Sequence, residues 1–159
     1  MRLLVTGCAG FIGSQLAARL LELGHSVVGI DCFDETLYSA ARHREQLAPL
    51  LAMPGFSFVE GNILDPALVE KHLVGVDAVI HLAALAGVRP SLTQARRCLR
   101  TNVEGTQSVL DACARAEVRR IVFASSSSVY GASARAPFCE SDEASEPVSP
   151  YAASKRAGE

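Results

Sequence analysis

Five short apolar runs alternate with stretches of helical spacing, and this alternation constrains the chain more than any other feature. The runs cover 3–6, 26–30, 56–60, 78–82 and 120–124, and the helical stretches cover 12–23, 37–51, 66–73, 93–116 and 150 to the end. Strands that alternate with helices predict βαβ units, which need a parallel sheet with helices on both faces. The run Val27, Val28, Gly29, Ile30 has no polar alternation, which suits a strand covered on both sides. Right-handed crossovers then give an α/β, Rossmann-like doubly wound parallel sheet.

With 159 residues, 49% of them hydrophobic, the chain can fill one domain core. Its net charge of −2 gives no support for a nucleic-acid partner. No apolar stretch approaches ~20 residues, so no membrane span is predicted. The opening residues go straight into an apolar strand without the parts of a signal peptide. Five scattered cysteines suggest reduced thiols in a cytoplasmic protein, and neither they nor the four histidines have metal-ligand spacing. No metal is expected.

The first strand runs into Thr6-Gly7-Cys8-Ala9-Gly10-Phe11-Ile12-Gly13 at the start of the first helix. Gly7 permits a tight turn, Gly10 lets backbone approach a pyrophosphate, and Gly13 lets helix and strand lie close. The free N–H groups and positive end of the helix then face the phosphates. The spacing is Gly-x-x-Gly-x-x-Gly, a weak signal in isolation. Asp31 strengthens it, because it ends the second strand 18 residues after Gly13. A carboxylate there can accept from both hydroxyls of an adenosine ribose and repel a 2′-phosphate, which favours NAD over NADP. Arg42 and Arg44 read as a solvated helix face.

Ser125, Ser126, Ser127 and Ser128 follow the fifth strand, at the sheet edge where open α/β folds bind ligands. They are either hydroxyls aimed at a substrate oxygen or simply a polar strand end. Tyr151 and Lys155 stand at i and i+4 and share a helix face. A free phenol titrates near ~10, too high for a base at neutral pH. An ammonium about 4 Å away, at an effective dielectric near 20, favours the phenolate by up to ~4 kcal/mol. The stretch 130–150, rich in Ala, Ser, Pro and acidic residues, reads as a long loop, either beside the site or an ordinary connector.

Together the glycine turn, Asp31, His81-Leu-Ala-Ala84, Asn102-Val-Glu-Gly-Thr106, Ser125 to Gly131 and Tyr151-Ala-Ala-Ser-Lys155 resemble the extended short-chain dehydrogenase/reductase family over the whole length. Within that family, His81 to Ser91 and Phe123 to Gly131 look most like UDP-glucuronate 4-epimerases, with UDP-glucose 4-epimerases next. The resemblance implies NAD as cofactor and a UDP-sugar as substrate. It makes Ser126 the catalytic hydroxyl, Tyr151 the base, and Lys155 its electrostatic partner and a ligand of the nicotinamide ribose. Cofactor contacts then also include Gly7, Gly10, Phe11, Ile12, Gly13, Asp31, Asn62, Ile63, Leu82, Ala83, Ala84 and Asn102. Asn62 stands where the family usually has Asp. Arg89, Ser127 and Ser128 are substrate candidates, and Arg89 is as easily a solvent-facing residue.

The implied reaction removes the sugar C4 hydroxyl proton through Tyr151, passes through a transient 4-keto sugar, and restores C4 with the opposite configuration. The dehydratase branch carries an Asp-Glu pair where Ser127 and Ser128 stand, so 4,6-dehydration or reduction ranks second. Relatives also continue into a smaller C-terminal substrate domain, and the sheet here is expected to stop before the last strands. This leaves open a non-catalytic NAD-binding fragment or module. Helices 93–116 and 150–159 are those through which relatives commonly form homodimers. The last of these is expected to fray, because an isolated helix so short is marginal.

Overall fold

The computed structural model describes residues 1–132, 137–144 and 146–159. Five strands, β1 (Arg2–Thr6), β2 (Ser26–Asp31), β3 (Phe56–Glu60), β4 (Ala78–His81) and β5 (Ile121–Phe123), form one sheet in the order β3-β2-β1-β4-β5. Every neighbouring pair is parallel. Thr6 pairs with Ile30 on one side and His81 on the other. The chain moves outward from β1 to β3 and then crosses to β4, so strand order reverses between β1 and β4. A crevice opens beyond the carboxyl ends of the strands at such a reversal.

Both faces of the sheet are covered. Leu4, Ile30 and Val79 point into a core shared with α3 (Pro66–Lys71) and α6 (Gly105–Arg115), where Val69, Val109 and Ala112 are fully enclosed. Val5 and Val27 point the other way, onto α1 (Phe11–Glu22) and α2 (Ala40–Leu51) through Ala17, Leu21, Leu47 and Leu50. This double coverage is the physical reason that the strands lack polar alternation.

The helix ends follow local chemistry. Asp65 caps α3 by accepting from the N–H groups of Ala67 and Leu68, with Pro66 at the first helical position, where no N–H is needed. Ser39 caps α2, so this helix starts at Ala40 and not at the expected 37. The freed residues Leu37 and Tyr38 run along the cleft instead, next to Thr36.

The helix expected over 93–116 is not one regular helix. A short α4 (Val88–Thr93) ends at Gln94, and α5 (Ala95–Leu99) passes through a π-helical turn, Arg100–Glu104, into α6. The Thr106 hydroxyl donates to the carbonyl of Asn102 at 2.6 Å, a back-bond that competes with the regular helical ladder at the turn.

The last helix, α7 (Pro150–Gly158), is packed rather than frayed. Ser149 caps it through the Ala152 N–H, Ala152, Ser154 and Lys155 are buried, and the helix packs against α4, α5 and the π turn. Burial supplies what a short helix lacks in solution. A 3-10 turn, Ser127–Tyr130, opens the long loop, and the Tyr130 and Phe138 rings stack at 4.8 Å. Residues 133–136 and 145 of the expected loop 130–150 lie outside the described residues. Among the described residues, no helix is long and apolar enough to cross a membrane.

Candidate active site

Two adjoining cavities, of about 350 Å³ and about 50 Å³, run along the carboxyl edge of β1, β2 and β4. They share Gly7, Asp31, Asp34, Ala83, Ala84 and Leu85, so they form one cleft with a wide and a narrow end. The wide end holds Gly10, Phe11, Ile12, Gly13, Leu82, Ser125, Tyr151 and Lys155. The narrow end holds Asn62 and Ile63.

The glycine turn is built by close approach. Gly7 has φ +73°, and a Cβ on it would stand 2.8 Å from the Ala83 nitrogen. A Cβ on Gly10 would meet only the Gly7 oxygen, at 3.2 Å. The space beyond Gly10 is therefore the cleft itself. Gly10 is the N-cap of α1 and offers no side-chain cap, so the first-turn N–H groups have no protein partner from that side. Phe11 and Ile12, 66% and 65% exposed, form the mouth. These features fit a dinucleotide, whose diphosphate is the group such a turn and helix end accept.

Asp31 is buried, and both its oxygens are engaged: Oδ2 accepts from the Ala9 N–H and Oδ1 from the Phe33 N–H, each at 2.9 Å. Each oxygen keeps a free lone pair for a hydroxyl donor. Its charge is felt nearby. Burial and then Asp31 push the Cys8 thiol up, and burial, Asp31 and Asp34 push the Cys32 thiol up. Asn62 closes an Asx turn on the Leu64 N–H at 2.9 Å.

Lys155 is 4% exposed, and its ammonium donates to the Ala124 carbonyl at 2.8 Å and sits 4.9 Å from the Phe123 ring centre. Burial lowers its pKa to about 8. A lysine that titrates near neutrality beside a tyrosine on a cleft wall is a functional-site signature.

Beneath the cleft, His81 joins the two central strands to α6. The Thr106 hydrogen is committed to the Asn102 carbonyl, so His81 Nε2–H donates to Thr106 Oγ1 at 3.0 Å. Nδ1 must then accept from the Thr6 hydroxyl, at 2.6 Å. Thr6 in turn receives the Ala83 N–H. Burial, and secondarily Lys155, lowers the His81 pKa to about 4. The unfolded chain therefore takes up a proton that the folded chain refuses. Stability is expected to fall as pH drops from ~6.5 to ~4 and to level off below, by about 3 kcal/mol from this group. Urea midpoints across that range test it, and His81→Gln should flatten the slope.

The structure does not bring every candidate to the cleft. Asn102 is buried behind the wall: it accepts from the Leu85 N–H at 2.7 Å and donates to the Leu85 carbonyl and to Ser154 Oγ. It ties the loop after β4 to α7 instead of reaching a ligand directly. Ser126 accepts from the Ser128 N–H and donates to Ser128 Oγ, and Ser127 is exposed. None of these three serines lines either cavity, whereas Ser125 does, with its hydroxyl donated to Glu159. Arg89 is exposed on α4, away from both cavities. Sequence reasoning missed Asp34, Thr36 and Tyr38, which line the wide end from the loop after β2, and His43, which lines it from the first turn of α2. No spacing marked them, because an irregular loop sets their positions.

The model of the NAD dependent epimerase/dehydratase family matches residues 3–159. UDP-glucuronate 4-epimerase 3 of Arabidopsis thaliana is 42% identical over 98% of this chain and 36% of its own length. Among solved structures, a UDP-glucuronic acid 4-epimerase of Bacillus cereus in complex with UDP-glucuronic acid and NAD superposes with a TM-score of 0.91 at 36% identity, over 99% of this chain and 50% of that one. A dTDP-glucose 4,6-dehydratase of Streptomyces venezuelae with NAD bound gives 0.88 at 41% identity, over 99% and 49%. The chain thus spans between a third and a half of the length of these relatives. NAD is the cofactor of the family. With the glycine turn, Asp31, Tyr151 and Lys155 on one cleft and the whole sequence matched, the chain belongs to the NAD dependent epimerase/dehydratase family.

Proposed function

We propose that these residues are the cofactor-binding and catalytic part of an NAD-dependent nucleotide-sugar 4-epimerase, an isomerase of the UDP-glucuronate or UDP-glucose type. One observation carries this reading: Tyr151 and Lys155 share a cavity with Gly10, Gly13 and Asp31, so a proton-transfer pair and a dinucleotide cradle meet in one cleft. When bound there, NAD supplies a reversible acceptor for the hydride at the sugar C4. Gly7, Gly10 and the first turn of α1 receive its diphosphate, Asp31 the adenosine ribose, and Asn62 with Ile63 the adenine. Tyr151 takes the C4 hydroxyl proton and later returns it. Lys155 favours the phenolate electrostatically. Ser126 serves as the second hydroxyl, which requires it to turn from its bond to Ser128.

Identity alone does not choose between branches, since a dehydratase structure scores 41% and an epimerase structure 36%. Chemistry supports epimerisation. Eliminating water from the sugar needs an acid and a base beyond Tyr151, and Ser127 and Ser128 supply only hydroxyls. The grip on the UDP moiety is assigned to a substrate domain in the length that relatives have beyond this match. On its own the 159-residue chain then binds NAD without turnover. The homodimer implied for this family would use residues 93–116 and 150–159, where Leu99 and Leu110 are 41% and 38% exposed.

Calorimetry with NAD, beside assays for C4 inversion of UDP-glucuronate and UDP-glucose in a preparation that includes the remaining length, tests the reading. Asp31→Ala is expected to weaken NAD binding at least about tenfold, through loss of charge-assisted acceptors and of the two bonds that hold the turn. Release of a 4-keto-6-deoxy product would move the assignment to the dehydratases.

A further inference from the structure

The loop after β2 carries a second carboxylate into the cleft. Asp34 lines both cavities beside Asp31, and its three polar positions are each occupied. Its carbonyl faces His43 Nε2 at 3.0 Å, its Oδ1 accepts from the Thr36 N–H at 2.9 Å, and its Oδ2 meets Arg97 of α5 at 2.5 Å. Arg97 also donates to Thr36 Oγ1 at 3.0 Å and to Gln94 Oε1 at 3.1 Å. The Arg97 side chain is 53% exposed and that of Asp34 29% exposed. A pair this open contributes little stability. What it does is place charge. Without Asp34, the Arg97 guanidinium would keep only its neutral partners Thr36 and Gln94, and its charge would stand uncompensated beside the cleft that Thr36 lines. A free guanidinium there is the feature with which dinucleotide folds accept a 2′-phosphate.

We propose that Asp34 is a specificity-determining residue for the dinucleotide: by neutralising Arg97, it removes the cation that would otherwise draw phosphorylated ribose, and hence NADP, into the cleft. The inference rests on the proposed NAD site. Asp31 repels a 2′-phosphate, but a cation left uncompensated nearby would offset that repulsion. A 2′-phosphate brings a charge of about −1.5 to −2 at neutral pH, so it feels each carboxylate and each exposed cation far more than a 2′-hydroxyl does.

The test uses Asp34→Asn. The amide keeps an Oδ1 acceptor for the Thr36 N–H and leaves the backbone carbonyl for His43, so only the charge and the hold on Arg97 change. Affinities for NAD and NADP are measured by calorimetry on the wild-type chain, Asp34→Asn, Arg97→Ala and the double variant, with circular dichroism as the check on folding. The expected result is that Asp34→Asn raises the NADP-to-NAD affinity ratio by about tenfold or more, and that the double variant loses this gain. Arg97→Ala alone lowers the ratio or leaves it at the wild-type value. An unchanged ratio in a folded Asp34→Asn, or a gain that survives removal of Arg97, overturns the assignment of Asp34 while leaving the NAD site intact. Failure of the wild-type chain to bind NAD overturns both.

Discussion

Replacing Gly13 with alanine is expected to cost about 3 kcal/mol or more of folding stability and to abolish NAD binding, while Gly10→Ala abolishes binding with little loss of stability. The contrast follows from what each added Cβ would meet. At Gly13 it would lie 2.0 Å from the Gly7 oxygen, 2.8 Å from the Gly7 carbonyl carbon and 2.9 Å from the Cys8 Cα. These are all backbone atoms and cannot swing aside. Gly7 cannot retreat either, since it is pressed against the backbone of Leu82 and Ala83. Relief must come from α1 backing away from β1, which opens the contacts of Ala17 and Leu21 with Val5 and Val27. A domain with about 5–15 kcal/mol in hand loses a large share of it. Gly10 has one neighbour at 3.2 Å and otherwise faces the cleft, so a methyl there takes the room of a ligand's phosphate. Urea midpoints and NAD titrations of the two variants separate the effects. A Gly13→Ala chain with a wild-type midpoint would mean that the helix does not lie this close to the strand.

The parts of this architecture legible in the sequence are those set by periodicity and by turn chemistry. The strands fall within two residues of their expected bounds, because an apolar run between turn residues has few alternatives. Asp31 was legible because its place follows from counting along one βαβ unit. Asn102 shows the limit. The family resemblance placed it on a helix beside the cofactor, but its side chain is spent on Leu85 and Ser154. That depends on a π turn which rotates the helix face, and no periodicity announces such a turn. Likewise, a run of four serines cannot reveal which hydroxyl faces inward. The backbone decides it: Ser126 becomes the cap of a 3-10 turn, and Ser125 turns to the cleft and Glu159. The fraying expected of α7 failed for a related reason. Intrinsic helix propensity ignores the buried face formed by Ala152, Ser154 and Lys155.

Lys155→Met is expected to move stability and turnover in opposite directions. In the folded chain burial lowers the Lys155 pKa to about 8, from 10.5 for a free lysine. Sign matters here. A depressed lysine pKa means that folding disfavours the ammonium, so the penalty is fully present below pH ~8 and fades as pH rises towards ~10.5. Its size is about 3 kcal/mol, at roughly 1.4 kcal/mol per unit. Methionine removes the charge and keeps much of the volume, but leaves the Ala124 carbonyl without its donor, a cost of about 1–2 kcal/mol. The balance is a variant about 1–2 kcal/mol more stable than wild type at neutral pH, with the advantage shrinking above pH ~8. Turnover behaves otherwise. In the proposed reaction Tyr151 loses its cationic partner, and general-base catalysis of this kind contributes about 10²–10⁴-fold. C4 inversion, measured in a preparation that includes the remaining length, is expected to fall by that factor, as it should in Tyr151→Phe. NAD binding weakens only modestly, because the diphosphate and adenosine contacts remain. A Lys155→Met protein that is destabilised at neutral pH would place the ammonium in a better-solvated setting than its 4% exposure implies, and retained turnover would remove the pair from the chemistry.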